Sequence, residues 1–125
     1  MRVALDSRSA TASGGIGRYS RCLLGALRRT AGAANEELET RRPSTTVRSH
    51  RTDVFHAPWM DGAMLHSPCP MVVTVHDVAE LKRRSERLNP SLRQRLRPLA
   101  VQRAAGVIVP SEAVASDAVA HLHLD

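Results

Sequence analysis

Four short apolar segments, each bounded by glycine, proline or a polar residue, are the feature that most constrains the fold of this chain. They cover residues 2–5, 53–56, 71–76 and 106–109. Their nearly continuous apolar character is typical of strands that are buried on both faces, as in a parallel sheet. We therefore predict that these four segments are parallel strands in the interior of one domain.

Helical patterns separate the apolar segments. Apolar residues recur at helical spacing over residues 17–29 and again over residues 90–105. Pro98 lies inside the second pattern and should kink or split that helix. Ser111 has a side chain suited to cap the start of a third helix. Strands that alternate with helices predict an α/β fold, namely a Rossmann-like open parallel sheet flanked by helices.

The stretch of residues 32–52 interrupts this alternation. Leu38 and Val47 are its only large aliphatic residues, and the rest is rich in Glu, Arg, Ser and Thr. We predict no strand here, but a short helix over residues 35–40 followed by a polar loop, although so long a loop is unusual in a compact domain. The sheet would then lack strands at an edge and expose apolar surface.

Length and charge narrow the classes of function. The 125 residues suit one domain, and 18 Lys and Arg against 12 Asp and Glu give a net charge of +6. Nucleic acid is not the expected partner, because the arginines are scattered and only Tyr19, Phe55 and Trp59 could stack on bases. An anionic substrate, a phosphate-bearing donor or peripheral contact with an anionic membrane would suit the charge equally well.

The cysteines and the lengths of the apolar segments predict the cellular compartment of the protein. Cys22 and Cys69 are isolated and have neither metal-binding nor redox-motif spacing, which favours a reducing environment. The first apolar segment stops at Asp6 and is too short for a signal peptide, and no segment approaches the length of a membrane span. We therefore expect a cytoplasmic protein.

A glycine-rich loop follows the first predicted strand and precedes the first helix. It reads Gly14-Gly15-Ile16-Gly17. Glycines allow close approach of a ligand to the backbone, and a helix N-terminus offers free N–H groups, so the loop suits an anion such as phosphate. A dinucleotide fingerprint would need a third glycine where Ser20 stands, and the Gly-Lys-Ser/Thr of a P-loop is absent. A simple turn with a helix start explains the same residues equally well.

Polar residues follow the other predicted strands, where ligands of open parallel sheets bind. His76 comes directly after Val-Val-Thr-Val, and a functional and a structural role are equally consistent with that position. Asp77 could orient His76 or cap the next turn. Capping of the following helix is sufficient to explain Ser111 and Glu112. The remaining residues at strand ends are His56 and Trp59.

No metal site or hydrolytic triad can be read from the sequence. His121 and His123 are two residues apart, so on a helix they would face different directions and chelate poorly. We expect no metal and no cofactor.

Taken in order, the motifs resemble the N-terminal, acceptor-side half of the GT4-type, or "group 1", glycosyltransferases of the GT-B fold. The shared motifs cover most of the chain. They are the first strand ending in Asp6, Gly15-Ile16-Gly17-Arg18-Tyr19, Asp53-Val54-Phe55-His56-Ala57-Pro58, Val72 to Asp77, and Val107 to Glu112.

The resemblance implies one domain over residues 1–125, a Rossmann-like half of a two-part enzyme that transfers a sugar from a nucleotide-sugar donor without a metal. Gly15 and Gly17 would approach the donor diphosphate, and His76 with Asp77 would be catalytic. His56, Trp59, Ser111 and Glu112 would line the side that binds a sugar or lipid-phosphate acceptor. We expect this domain to be incomplete, because the donor-binding C-terminal half is missing and residues 32–52 replace strands of the family.

Three hypotheses follow. The chain is an acceptor-binding half that needs a separate C-terminal half for activity, or a non-catalytic interaction module that binds a protein partner at its exposed cleft, or an unrelated phosphate-binding α/β protein. The first requires that the amides around residues 15–17 and the His76 imidazole lie at the same rim of the sheet.

Overall fold

Parallel strands form the central sheet, in the spatial order β2-β1-β3-β4-β5. The computed structural model describes residues 1–34, 37–41, 52–79 and 91–124. Within these ranges the strands are β1 (Arg2–Asp6), β2 (Glu37–Arg41), β3 (Val54–Ala57), β4 (Met71–Thr74) and β5 (Gly106–Ile108).

Helices cover both faces of the sheet. They are α1 (Gly14–Ala34), α2 (Leu92–Gln102) and α3 (Glu112–Leu122), and short 3-10 helices occupy Ser7–Thr11 and Met60–Gly62. On one face, the Tyr19 hydroxyl of α1 lies 3.3 Å from Oγ1 of Thr74. On the other face, Val101 of α2 and Leu122 of α3 join the buried cluster that contains Val73. Because successive strand residues point to opposite faces, Val73 and Thr74 place these helices on opposite sides.

The core is built almost entirely from aliphatic side chains. Phe55 is its one aromatic ring among the described residues and is fully buried. Its neighbours in the cluster on the α2 and α3 face are small or medium in size, including Ala4, Ala57, Met71, Val73, Val75, Val78, Val101, Ala118 and Leu122. Burial of this face on α2 and α3 supplies the main hydrophobic stabilisation of the sheet.

The α/β prediction is confirmed. Strands β1, β3, β4 and β5 correspond to the four apolar segments, although β4 ends at Thr74, before His76, and β5 is a partly buried edge strand rather than an interior one. Ser111 is the N-cap of α3 as predicted, and its side chain accepts a hydrogen bond from Val114 N. Pro98 does not split α2, which runs through it from a capping box formed by Ser91 and Gln94.

The prediction for residues 32–52 is wrong in part. Helix α1 continues to Ala34, and β2 forms over Glu37–Arg41, where we predicted no strand and a short helix. β2 pairs with β1 from Arg2↔Glu37 to Asp6↔Arg41, so it covers an edge that was predicted to be bare. An edge strand is held by backbone hydrogen bonds to one neighbour and therefore needs no apolar run. The polar loop predicted after it, over residues 42–51, lies outside the described residues.

Over the described ranges, no helix is long and apolar enough to cross a membrane.

Gly17 lets the start of α1 lie directly on the preceding turn. A Cβ atom added at Gly17 would lie 1.8 Å from the carbonyl oxygen of Ala12 and 2.7 Å from its carbonyl carbon. Both atoms belong to the backbone and cannot turn away as a side chain could. The position of α1 on the sheet therefore requires glycine here.

We predict that Gly17→Ala lowers the free energy of unfolding by about 2–3 kcal/mol, because the added methyl group displaces backbone. Gly25→Ala in the same helix is the matched control, since the nearest atom to its Cβ is Arg29 Nη1 at 3.6 Å. It should raise the free energy of unfolding by roughly 0.5–1 kcal/mol through helix propensity. Urea denaturation measures both, and equal effects of the two variants would contradict the steric account.

Candidate functional site

A cavity of about 270 Å³ lies beyond the carboxyl ends of β3 and β4. The strand order reverses between β1 and β3, and open parallel sheets bind ligands beyond the carboxyl ends of their strands at such a reversal. The cavity draws its lining from α1, from the segments after β3 and β4, and from α2. The lining residues are Ile16, Trp59, Met60, Asp61, His76, Asp77 and Arg97.

His76 is held in the cavity wall by two contacts. Its Nε2 lies 2.9 Å from the carbonyl oxygen of Pro58. Since a carbonyl oxygen only accepts, Nε2 must carry the proton, and in the neutral ring Nδ1 is the atom with the lone pair. The Tyr19 ring packs edge-on against the imidazole, with centroids 4.7 Å apart and planes at 80°. These contacts fix both the tautomer and the orientation of His76.

Trp59 is anchored by the carboxylate that ends β1. Asp6 is fully buried, and its Oδ2 accepts a hydrogen bond from Trp59 Nε1 at 3.3 Å. The indole therefore leaves the end of β3 with its polar edge turned toward β1. This bond joins the two strands at the point where the strand order reverses.

Arg8 neutralises the buried Asp6 carboxylate. Its Nη2 lies 2.7 Å from Oδ2 and its Nε lies 3.0 Å from Oδ1, while the backbone N–H of Arg8 also donates to Oδ1. The hydrogen bonds to Asp6 raise the pKa of Arg8 above its ordinary value. Gly62 packs against the Asp6 carboxylate, where a larger residue would not fit, because a Cβ there would lie 2.7 Å from Asp6 Oδ2. A buried carboxylate is stable only when its oxygens are bonded in this way.

An ion pair brings α2 to the cavity. Nη2 of Arg97 contacts Oδ1 of Asp61, and the side chains are 12% and 31% exposed respectively. Both residues line the cavity, so it presents a cationic donor and an anionic acceptor beside His76.

The glycines predicted to approach a diphosphate occupy the first turn of α1 rather than a loop before it. Gly14 has φ of +79°, a conformation that favours glycine, and the helix begins there. Open space surrounds the position of a Cβ on Gly15, whereas Gly17 is buried against Ala12. Ile16, which lies between them, lines the cavity together with His76. The start of α1 and His76 therefore lie at the same rim of the sheet.

Three of the predicted site residues lie elsewhere. His56 is buried, and its Nε2 lies 3.0 Å from Oγ1 of Thr74, on the sheet face covered by α1. Ser111 and Glu112 are exposed at the start of α3 and do not line the cavity. Asp77 does line the cavity. Its Oδ1 accepts a hydrogen bond from Ala79 N, so it caps the next turn, which is one of the two roles considered for it.

Sequence reasoning missed most of the polar frame around the cavity. Asp6 had a visible signal, since it is an acid directly after a buried strand at the reversal of strand order. Asp61 and Arg97 had none, because a contact between a 3-10 helix and α2 leaves no spacing pattern in the sequence. The motif from Gly15 to Tyr19 includes Tyr19, but nothing in the sequence predicts its contact with His76.

A metal centre is not assembled by the residues described. No group of three or more His, Cys, Asp or Glu among them is placed to hold a metal ion. His121 lies in the last turn of α3, and His123 follows as its C-cap in a left-handed conformation.

We predict that Asp6→Ala lowers the free energy of unfolding by about 3 kcal/mol, because Arg8 and Trp59 Nε1 both lose their acceptor. Asp53→Ala is the control, since the exposed Asp53 also accepts a backbone hydrogen bond, from Arg2 N at 2.7 Å. It should lower the free energy by less than about 1 kcal/mol. Equal losses in chemical denaturation would show that the Asp6 network contributes no more than an exposed carboxylate.

The pH dependence of stability should report on His56. Burial lowers the pKa of His56 below its ordinary value of 6.5. Between the two pKa values the unfolded chain binds the proton more readily than the folded chain, so stability falls as the pH drops below about 6.5.

His56→Gln keeps a hydrogen-bond donor near Thr74 but does not titrate. Between pH 7.5 and pH 5, we predict that the variant loses less stability than the natural chain, by up to about 2 kcal/mol, the limit set by an ordinary pKa of 6.5. Urea denaturation at the two pH values measures the difference, and identical losses would exclude a buried neutral His56.

The family of the chain follows from a comparison with known families. Residues 38–125 match the family model described as Glycosyltransferase Family 4. The match begins in β2 and includes Trp59, His76 and Arg97, while β1 and the glycines of α1 precede it. No curated protein and no solved structure is significantly similar to the chain. Because the match covers more than half of the 125 residues, the chain belongs to glycosyltransferase family 4 and has a glycosyltransferase-type function.

Proposed function

We propose that this chain is the acceptor-binding half of a glycosyltransferase that takes its sugar from a nucleotide-sugar donor and is completed by a separate C-terminal half. The observation that carries the proposal is the shared rim: Ile16 of the first turn of α1 lines the same cavity as His76 and Trp59. A group that binds a leaving diphosphate and a group that contacts the transferred sugar must be this close together.

The first turn of α1 would face the donor diphosphate. It contains no acidic residue, and the helix has 21 residues whose peptide dipoles add at its N-terminus. Gly14 and Gly15 have no side chains to hold a phosphate at a distance, and open space surrounds a Cβ built on either. Gly17 would contribute through its backbone N–H and through the seating of the helix.

The opposite side of the cavity would bind the acceptor. Sugar hydroxyls need both donors and acceptors, which Arg97 and Asp61 supply as a pair. The indole of Trp59 offers a flat apolar face of the kind on which the C–H face of a sugar ring packs, and Asp6 fixes its position. Asp77 lies next to His76 on the same wall.

His76 would act at the reacting centre. Its proton on Nε2 is engaged by Pro58, so the ring can offer Nδ1 to the transferred sugar or to the acceptor hydroxyl. The rest of the rate enhancement would come from positioning and from stabilising the leaving diphosphate, without a metal or cofactor.

The size of the cavity supports the need for a second half. Sites for small molecules and cofactors usually enclose about 300–1,000 Å³ and bury most of the ligand. At about 270 Å³, this cavity falls below that range for a donor that carries a nucleotide, a diphosphate and a sugar. A facing domain would supply the missing wall.

We predict that, in the presence of the C-terminal half of a family 4 enzyme, His76→Ala lowers the rate of glycosyl transfer at least 100-fold. The measurement is release of nucleoside diphosphate from UDP-glucose or GDP-mannose with a sugar acceptor. His76→Gln should lower the rate similarly, because its amide can still donate to Pro58 O but offers no ring nitrogen.

His121→Ala is the matched control, because His121 is exposed on α3 and does not line the cavity. It should keep the full rate. Full transfer by His76→Gln would remove His76 from the reaction. Absence of transfer with every half and donor would favour a non-catalytic binding module.

A further inference from the structure

A second, larger cavity adjoins the candidate site. It has a volume of about 560 Å³ and lies between α2 and the segment after β3. Its apolar lining, which we call the methionine–leucine groove, consists of Met60, Ala63, Met64, Leu65, Leu92, Leu96 and Ala100, and the exposed His66 lies beside it.

The groove is continuous with the site. Met60, Asp61 and Arg97 line both cavities, so the ion pair between Asp61 and Arg97 stands at their junction. On one side of the pair are His76, Asp77 and Trp59, and on the other are thioether and aliphatic side chains together with His66. A ligand that extends from the site into the groove would pass from polar to apolar surroundings.

The surface of the groove favours an apolar occupant. Leu92 is 71% exposed at its mouth, although it stands at the start of a helix whose neighbouring turns are partly buried. Covering this surface with an apolar ligand is favourable because it removes the surface from water. Methionine side chains are flexible and adapt to ligands of irregular shape. A second sugar would gain less here, because most of the lining side chains are apolar and hydroxyls that face them would lose water without finding a partner.

We propose that the methionine–leucine groove binds an apolar aglycone, so that the acceptor is amphipathic, with a hydroxylated head in the His76 cavity and an alkyl chain in the groove. The proposal rests on the proposed function, which places the acceptor in the His76 cavity. It assigns the class of the acceptor and the residues that recognise its alkyl chain.

Binding of alkyl β-D-glucosides to the purified 125-residue chain tests this assignment without a donor. Methyl, hexyl and octyl glucosides are titrated below their micellar concentrations by calorimetry. We expect the affinity to rise with alkyl length, by roughly tenfold from hexyl to octyl, since each buried methylene contributes about the same increment. The emission of Trp59, the single tryptophan of the chain, should change on binding.

Two exposed leucines of α2 provide a matched pair of variants. Leu92 lines the groove, whereas Leu99 is 47% exposed and does not. Leu92→Gln should remove most of the gain from hexyl to octyl, while Leu99→Gln should keep it. Because both side chains are exposed, both variants should fold, which thermal denaturation checks.

An affinity that does not depend on alkyl length, or an equal loss in the two variants, would overturn the proposal. Transfer of sugar to the methyl glucoside without any preference for the octyl glucoside would also overturn it while leaving the proposed function intact. A length-dependent affinity without any transfer would contradict the proposed function alone.

Discussion

The buried carboxylate of Asp6 is the interaction on which the geometry of the site depends. It ends β1 with no exposed surface, and its bonds reach Arg8 in the next turn and Trp59 beyond β3. Gly62 lies against the same oxygen with no room for a side chain. A charged group so deeply buried tolerates few arrangements of its partners, because each lost hydrogen bond leaves an unsatisfied charge. The carboxylate therefore holds the segment after β1 against the segment after β3, and the latter forms one side of the cavity.

Much of the sheet could be predicted from the sequence, and the one missing strand shows why. β1, β3 and β4 each have a strand on both sides, and burial selects apolar residues along them. β5 is an edge strand with one neighbour, but it is also apolar, and its Val107 packs against the core cluster. β2 reads Glu-Leu-Glu-Thr-Arg and has one neighbour, β1. Its place is set by backbone hydrogen bonds, which leave no trace in residue type. Pro98 shows a related limit of sequence reasoning. Its local chemistry predicted a break in the helix, but the capping box and the tertiary packing of α2 stabilise the helix in spite of it.

The predicted residues that line the cavity include two that come shortly after a strand. His76 and Trp59 lie near the ends of β4 and β3, and both line the cavity. His56 lies inside β3, where the alternation of side chains turns it toward Thr74 on the α1 face. Arg97 reaches the cavity from a helix whose approach depends on the packing of the whole core, which no spacing in the sequence reveals. Strand ends and helices can thus be located from a sequence, but the packing that brings a particular helix to the strand ends cannot.

The contact between Gly17 and the Ala12 carbonyl has a consequence for how sequences of this kind can diverge. Where two elements meet through side chains, replacing a leucine by a valine shifts their spacing by a fraction of an ångström. Here the backbone of α1 meets the backbone of the preceding turn with nothing between them. The amino end of the helix is therefore insulated from repacking in the rest of the core. We therefore expect changes among interior residues to alter the spacing between this helix end and the preceding turn less than they alter contacts made through side chains.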